Sequence, residues 1–294
     1  MNSLRTIVAA VDFGKASEAA LAQALRIGAW SRATVHGVHV VDTGVLLETQ
    51  EAMSMLQADI QSALQAEAAQ RWAAFLPGLP GRSDCRFHVV VNDARHALLG
   101  LAEQLSADLM VLGVRGDDTG GKGPGPLATA CMHRARCPVL LAQEGQSGPY
   151  RTIVACVDFS ETSRRALEAA ARVALQDGSA LRVLHVFRAP WRDNRLLMLP
   201  PVSAEGQARY REALREKIES LWAGLGEEFS YLKPRAEVVE HSSHGRGIVE
   251  YAQQENAELI VLGTRGRTNL KELLLGSTAE RVIRSAGRSV LAVR

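Results

Sequence analysis

Thr6-Ile7-Val8-Ala9-Ala10-Val11-Asp12-Phe13 returns 146 residues later as Thr152-Ile153-Val154-Ala155-Cys156-Val157-Asp158-Phe159, changed only where Ala10 becomes Cys156. A second stretch, Ala107-Asp108-Leu109-Met110-Val111-Leu112-Gly113-Val114-Arg115-Gly116, returns as Ala257-Glu258-Leu259-Ile260-Val261-Leu262-Gly263-Thr264-Arg265-Gly266. The halves close on Pro138-Val139-Leu140-Leu141 and Ser289-Val290-Leu291-Ala292. Self-similarity over this distance means two fused copies of one domain. Residues 1–145 and 149–294 are the expected copies, joined through the Gly/Ser/Pro stretch Gly145-Gln146-Ser147-Gly148-Pro149.

Inside each copy, short β-branched runs alternate with longer helical stretches, the pattern of βα units around a buried parallel sheet. The expected fold is α/β, two tandem doubly wound, Rossmann-like domains, each a five-stranded parallel sheet flanked by helices. Strands are expected near 5–11, 34–41, 86–91, 108–113 and 138–142, and again near 151–157, 180–187, 235–240, 258–263 and 288–293. The longest helices fall near 49–75 and 203–224, and Ser17 and Ser163 suit the first turn of each copy's first helix. The apolar segment Pro138 to Ala142 is an edge that invites pairing, so the copies are expected to join through their last strands about a pseudo-twofold. The tandem chain would then be a pseudo-dimer, with further homodimerisation left open.

Composition removes several classes of function. Of 294 residues, 47% are hydrophobic and 22% charged, which suits a folded chain and excludes intrinsic disorder. Net charge is +2 and like charges do not cluster, so nothing marks a nucleic-acid or anionic-membrane surface. Apolar runs fall far short of the roughly 20 residues that span a bilayer. Ile7 to Val11 is too brief for a signal-peptide core, which points to the cytoplasm. Cys85, Cys131, Cys137 and Cys156 form no C-x-x-C pair, so they read as reduced structural thiols.

In an open parallel sheet, ligands bind beyond the carboxyl ends of the strands where the winding reverses. Gly263-Thr264-Arg265-Gly266 leaves the fourth strand of the second copy, and nine residues later Gly276-Ser277-Thr278 opens the last helix. Glycines admit an anion close to backbone, and the unpaired N–H groups of a helix start favour negative charge. Ser277 and Thr278 add hydroxyl donors. The plainer reading is a tight turn followed by a helix cap.

G-x-x-G, nine residues, then G-S/T resembles the nucleotide motif of the universal stress protein family. The resemblance covers nearly the whole chain as a tandem pair, through the Val-Asp end of the first strand, Leu184-His185-Val186 and Ser289-Val290-Leu291. It implies an ATP-binding regulatory protein of the stress response, with ATP held mainly by the second copy. By resemblance, Gly263, Gly266, Gly276, Ser277 and Thr278 hold the phosphates, and Arg265 is a further cofactor-binding residue. Asp158 goes to the ribose or a phosphate-bound Mg²⁺, and Ala155 and Val186 to the adenine pocket. As a cap on the following turn, Asp158 has a purely structural alternative.

The first copy keeps Gly113-Val114-Arg115-Gly116. Ten residues beyond Gly116, where Gly-Ser is expected, stands Pro126-Leu127, which offers neither an N–H at the proline nor a hydroxyl. That copy is expected to have lost tight phosphate binding, although Asp12 remains. Gly116 to Gly123 also imitates a P-loop but lacks its Ser/Thr, and Pro124 and Pro126 oppose a helix starting at Lys122.

Three other features bear on the ligand site. The loop Arg188 to Pro201 carries Trp191, Arg192 and Arg195, whose arginines could close on phosphate as a lid. His241-Ser242-Ser243-His244 reads as an exposed loop sooner than a metal site. His39 and His185 share one strand position and read as satisfied core histidines. Besides the ATP-binding sensor acting through an unidentified protein partner, two alternatives remain: a slow Mg-dependent ATPase, and a small-molecule or protein-interaction module without tight nucleotide binding. No nucleophile–base pair stands out, so no catalytic residue is assigned.

Overall fold

A computed structural model describes residues 4–41, 57–76, 79, 85–115, 123–191, 202–266 and 275–294. The chain forms two compact units, Asn2–Gly148 and Pro149–Arg294. In the first, β1 (Thr6–Ala10), α1 (Lys15–Ser31), β2 (Thr34–Val41), α2 (Gln57–Phe75), β3 (Cys85–Val91), α3 (Ala94–Gln104), β4 (Leu109–Gly113), α4 (Pro126–Arg134) and β5 (Val139–Ala142) follow one another. In the second come β6 (Thr152–Cys156), α5 (Glu161–Asp177), β7 (Ala180–Phe187), α6 (Ala204–Ala223), β8 (Arg235–Glu240), α7 (His244–Gln254), β9 (Leu259–Gly263), α8 (Ser277–Ser285) and β10 (Ser289–Val293). The α/β expectation holds in both units, strand by strand. The first part of the long helix expected over 49–75 lies outside the described residues.

The first unit's strands lie in the order β3-β2-β1-β4-β5 and the second's in the order β8-β7-β6-β9-β10, every pair parallel. The chain thus winds outward from β6 through β7 to β8, then crosses back to β9 on the other side of β6. The carboxyl ends of β6 and β9 part at that reversal, and the same holds for β1 and β4. The inner strands are β-branched and apolar because helices cover both faces: Ile153, Val154, Ala155, Ile260 and Val261 have no exposed surface.

The first helix of each unit packs hardest. α5 starts on Ser160, whose hydroxyl accepts from Ser163 N, and stops at Gly178 in the left-handed region (φ 66°). α1 starts on Gly14 without a side-chain cap and stops at Arg32 (φ 57°). Alanines on the buried faces bring these helices close to the strands. The first glycine of each Gly-x-Arg-Gly stretch meets that approach. A Cβ on Gly113 would lie 2.8 Å from the Ala16 backbone, and one on Gly263 would lie 3.0 Å from Thr162 Cγ2.

Between the first strand and first helix of each unit the chain makes the same strained turn. Phe13 and Phe159 adopt φ of 67° and 65°, a conformation costing a side-chain-bearing residue roughly 1–2 kcal/mol. Three contacts offset it. The Asp12 carboxylate accepts from Gly14 N (2.9 Å), and that of Asp158 from Ser160 N (3.0 Å). The Phe rings rest 4.7 and 4.6 Å from His39 and His185. Arg71 and Lys217, on the long helices, sit 4.5 Å over the same rings. Each histidine donates Nδ1–H to the carbonyl of Val11 or Val157, which fixes its tautomer.

Gly113→Ala should cost the chain about 1–3 kcal/mol of stability, because the helix and strand would have to separate. Urea unfolding followed by circular dichroism measures this; an unchanged midpoint would contradict the packing role.

Candidate functional site

The second unit holds a cleft of about 1000 Å³ at the β6/β9 reversal. Its walls come from the ends of β6, β7 and β9, the start of α8, and side chains of α6 and α7. Asp158, Val186, Gly263, Arg265, Gly266, Gly276, Ser277 and Thr278 all line it. Ala155 does not. It is wholly buried within β6, and Cys156, one residue on, reaches the cleft instead.

Asp158 and Gly266 face each other across the floor: a Cβ on Gly266 would lie 2.9 Å from Asp158 Oδ2. A side chain there would push the carboxylate aside, so Gly266 leaves Asp158 its place on the cleft. The other carboxylate oxygen, Oδ1, accepts from the N–H and hydroxyl of Ser160. The capping role and a place at the cleft therefore coincide in one residue.

The helix start departs from the expected cradle in one respect. Gly276 caps α8 with its backbone, and its N–H donates to the Thr264 carbonyl at 2.8 Å, so it ties the helix to the strand end. The first helical bond runs from Glu280 N to Gly276 O (2.9 Å). The N–H groups of Ser277, Thr278 and Ala279 form the first turn and have no intrahelical acceptor. Those three donors, with the hydroxyls of the exposed Ser277 and half-buried Thr278, form an end of the cleft whose chemistry suits an anion.

The first unit repeats the tie with a different residue count. Gly125 caps α4, its N–H donates to Val114 O at 2.8 Å, and Pro126 takes the first helical position. Gly125 therefore stands where Gly276 stands, in a connection one residue shorter, and reading Pro126 in the glycine's place is corrected. What the first unit lacks is the Ser277 and Thr278 chemistry, since Pro126 and Leu127 replace them. Of the P-loop imitation, Gly123 to Gly125 is not helical, and Gly123 O accepts from Arg115 Nε. Residues 116–122 lie outside the described residues.

Two cleft residues are not assigned to the site by the sequence: Tyr210, and His244, which reads there as part of an exposed loop. His244 opens α7 and lines the cleft, where desolvation and the Arg188 charge hold its pKa below the usual 6.5 against the opposing pull of Asp158. Tyr210 of α6 lines it too, perpendicular to Trp191 at 5.4 Å and beside Phe187 at 5.5 Å. Arg192 and Arg195, the proposed lid, lie outside the described residues. His241 turns away from metal chemistry: its Nδ1 accepts from Ser243 N and its Nε2 lies 3.5 Å from Glu250. Among the described residues no group of three His, Cys, Asp or Glu could hold a metal ion, and no helix is long and apolar enough to cross a membrane.

Comparison with known proteins agrees with this architecture. The universal stress protein family model matches residues 3–143 and again 149–294. A universal stress protein of Methanocaldococcus jannaschii is 33% identical over 151 residues, 49% of this chain and 82% of that protein. A universal stress protein structure from Pseudomonas aeruginosa superposes with a TM-score of 0.65 at 19% identity, covering 99% of this chain and 93% of its own. A third, from Archaeoglobus fulgidus and solved in complex with dAMP, covers 50% of this chain and 99% of its own at 22% identity, with a TM-score of 0.35.

Burial pushes the Cys156 and Cys131 thiols up to about 12, so at pH 8 both stay protonated, and Cys137 is also buried. Native protein should therefore expose one reactive thiol, the half-buried Cys85, to a disulfide reagent, and all four after denaturation. Fast modification of Cys156 in the native chain would contradict its placement.

Proposed function

The chain belongs to the universal stress protein family, and from that premise we propose that its second unit binds ATP and that bound ATP sets a state which a protein partner reads. What supports this reading most directly is one juxtaposition. Three unpaired N–H groups and two hydroxyls at the start of α8 share a cleft with the Asp158 carboxylate. A phosphate chain suits the first set, because helix-start donors and the helix dipole favour anions. A carboxylate suits ribose hydroxyls, which donate to it. Val186, Leu184 and Ile248 give the apolar wall that a flat base needs.

Mg²⁺ fits as a companion of the phosphates. It binds through one or two carboxylates together with phosphate oxygens and water, and Asp158 is the carboxylate on the cleft. Bound in that way it would neutralise phosphate charge that Asp158 otherwise repels. In the ligand-free cleft, burial and the Arg188 charge favour the neutral form of His244. As a sensor, the protein responds to ATP only as far as ATP prefers one of its states over another. The first unit, with Pro126 and Leu127 at its helix start, is read as holding phosphate weakly.

Calorimetric titration with ATP and Mg²⁺ tests the reading. One site per chain is expected. Ser277→Pro should weaken it by about 10-fold or more, because one charge-assisted N–H bond and one hydroxyl are lost. Proline is tolerated at the first helical position, so the helix should survive, as α4 does with Pro126. Two equal sites, or a Ser277→Pro chain that binds as the parent does, would contradict it.

A further inference from the structure

The two Gly-x-Arg-Gly stretches differ at one residue, Val114 against Thr264, and the pair is nearly isosteric. Their backbones are used identically. Val114 N donates to Ala142 O and its carbonyl accepts from Gly125 N. Thr264 N donates to Val293 O and its carbonyl accepts from Gly276 N. Only the side chains part company, a methyl in the unit without helix-start hydroxyls and a hydroxyl in the unit that has them.

That hydroxyl is anomalous. Thr264 is 3% exposed, and its Oγ1 is buried without any hydrogen-bond partner. Buried polar groups are nearly always paired, and an orphan is destabilising where valine would fill the same space. Thr264 lines the cleft between Gly263 and Arg265, and its carbonyl holds the N-cap of α8, which places it at the phosphate end. Rotation about χ1 between staggered positions is what would bring this buried hydroxyl to a ligand in the cleft.

We propose that Thr264 is a further binding residue of the second unit, whose hydroxyl donates a hydrogen bond to an oxygen of the bound nucleotide. The proposal rests on the ATP reading above and assigns a residue outside the glycines and hydroxyls of the motif. The hydroxyl's missing partner is then the ligand, and the first unit carries valine because it has no such ligand to serve.

Thr264→Val and Thr264→Ser separate the two claims in the full-length chain, with ATP affinity and the melting temperature of ligand-free protein as readouts. Thr264→Val should raise the Kd for ATP about 10-fold. It should also raise the ligand-free melting temperature by about 2 °C, because the orphan is gone. Thr264→Ser, which keeps the hydroxyl, should bind nearly as the parent does. A Thr264→Val chain with parental affinity, or with a lowered ligand-free melting temperature, would overturn the proposal while leaving the ATP reading intact. A parent chain that binds no ATP would remove both.

Discussion

The end of the fourth strand in each unit passes so close to the first turn of the first helix that a Cβ there would meet it, at clashing distance in the first unit and in tight contact in the second. Gly113 meets the backbone of Ala16, and Gly263 meets Thr162 and Ser163. From that contact the geometry follows. The helix start fixes the Asp-Phe turn above it, the left-handed Phe is held between a histidine ring and a cation, and in the second unit the aspartate faces the second glycine of the motif. In the second unit this aligns Asp158, Gly266 and the start of α8 around one cleft.

The two units separate what the scaffold requires from what a ligand requires. Both keep the packing glycine, the aspartate turn, the Phe–His–cation stack and the glycine cap tied to the preceding strand. Those are conditions of folding. Ser277, Thr278 and Thr264 carry hydroxyls only in the second unit, against Pro126, Leu127 and Val114 in the first. Nothing in the packing of the fold demands those hydroxyls, and they gather at one helix start.

Strands and helices were legible because the repeat repeats its periodicity: β-branched runs such as Thr152 to Cys156, buried on both faces, cannot be mistaken for amphipathic surface. The motif residues that follow those strands were legible for the same reason, since the strand ends fix where the next residues go. Side chains arriving from helices were not. Tyr210 and His244 reach the cleft from α6 and α7, and no local spacing announces that. Counting from Gly116 also misaligned the first unit, because a hydrogen bond, Gly125 N to Val114 O, defines the cap where residue number does not. Ala155 lies one residue short of the strand end that opens on the cleft, where Cys156, Val157 and Asp158 line it in succession, and such a one-residue difference along a strand cannot be read from the sequence. The Val114/Thr264 exchange stood in the sequence, but only the missing hydrogen bond gave it meaning.

Photo-crosslinking with an azido-adenine analogue of ATP, followed by peptide mapping, asks most directly where the nucleotide lies. Label should appear in the second unit, on peptides spanning the ends of β6 and β7 from Cys156 to Arg188, and should vanish when excess ATP competes. Competable label on the first unit's peptides, or none in either unit, would contradict the assignment of the nucleotide to the cleft at Asp158 and α8.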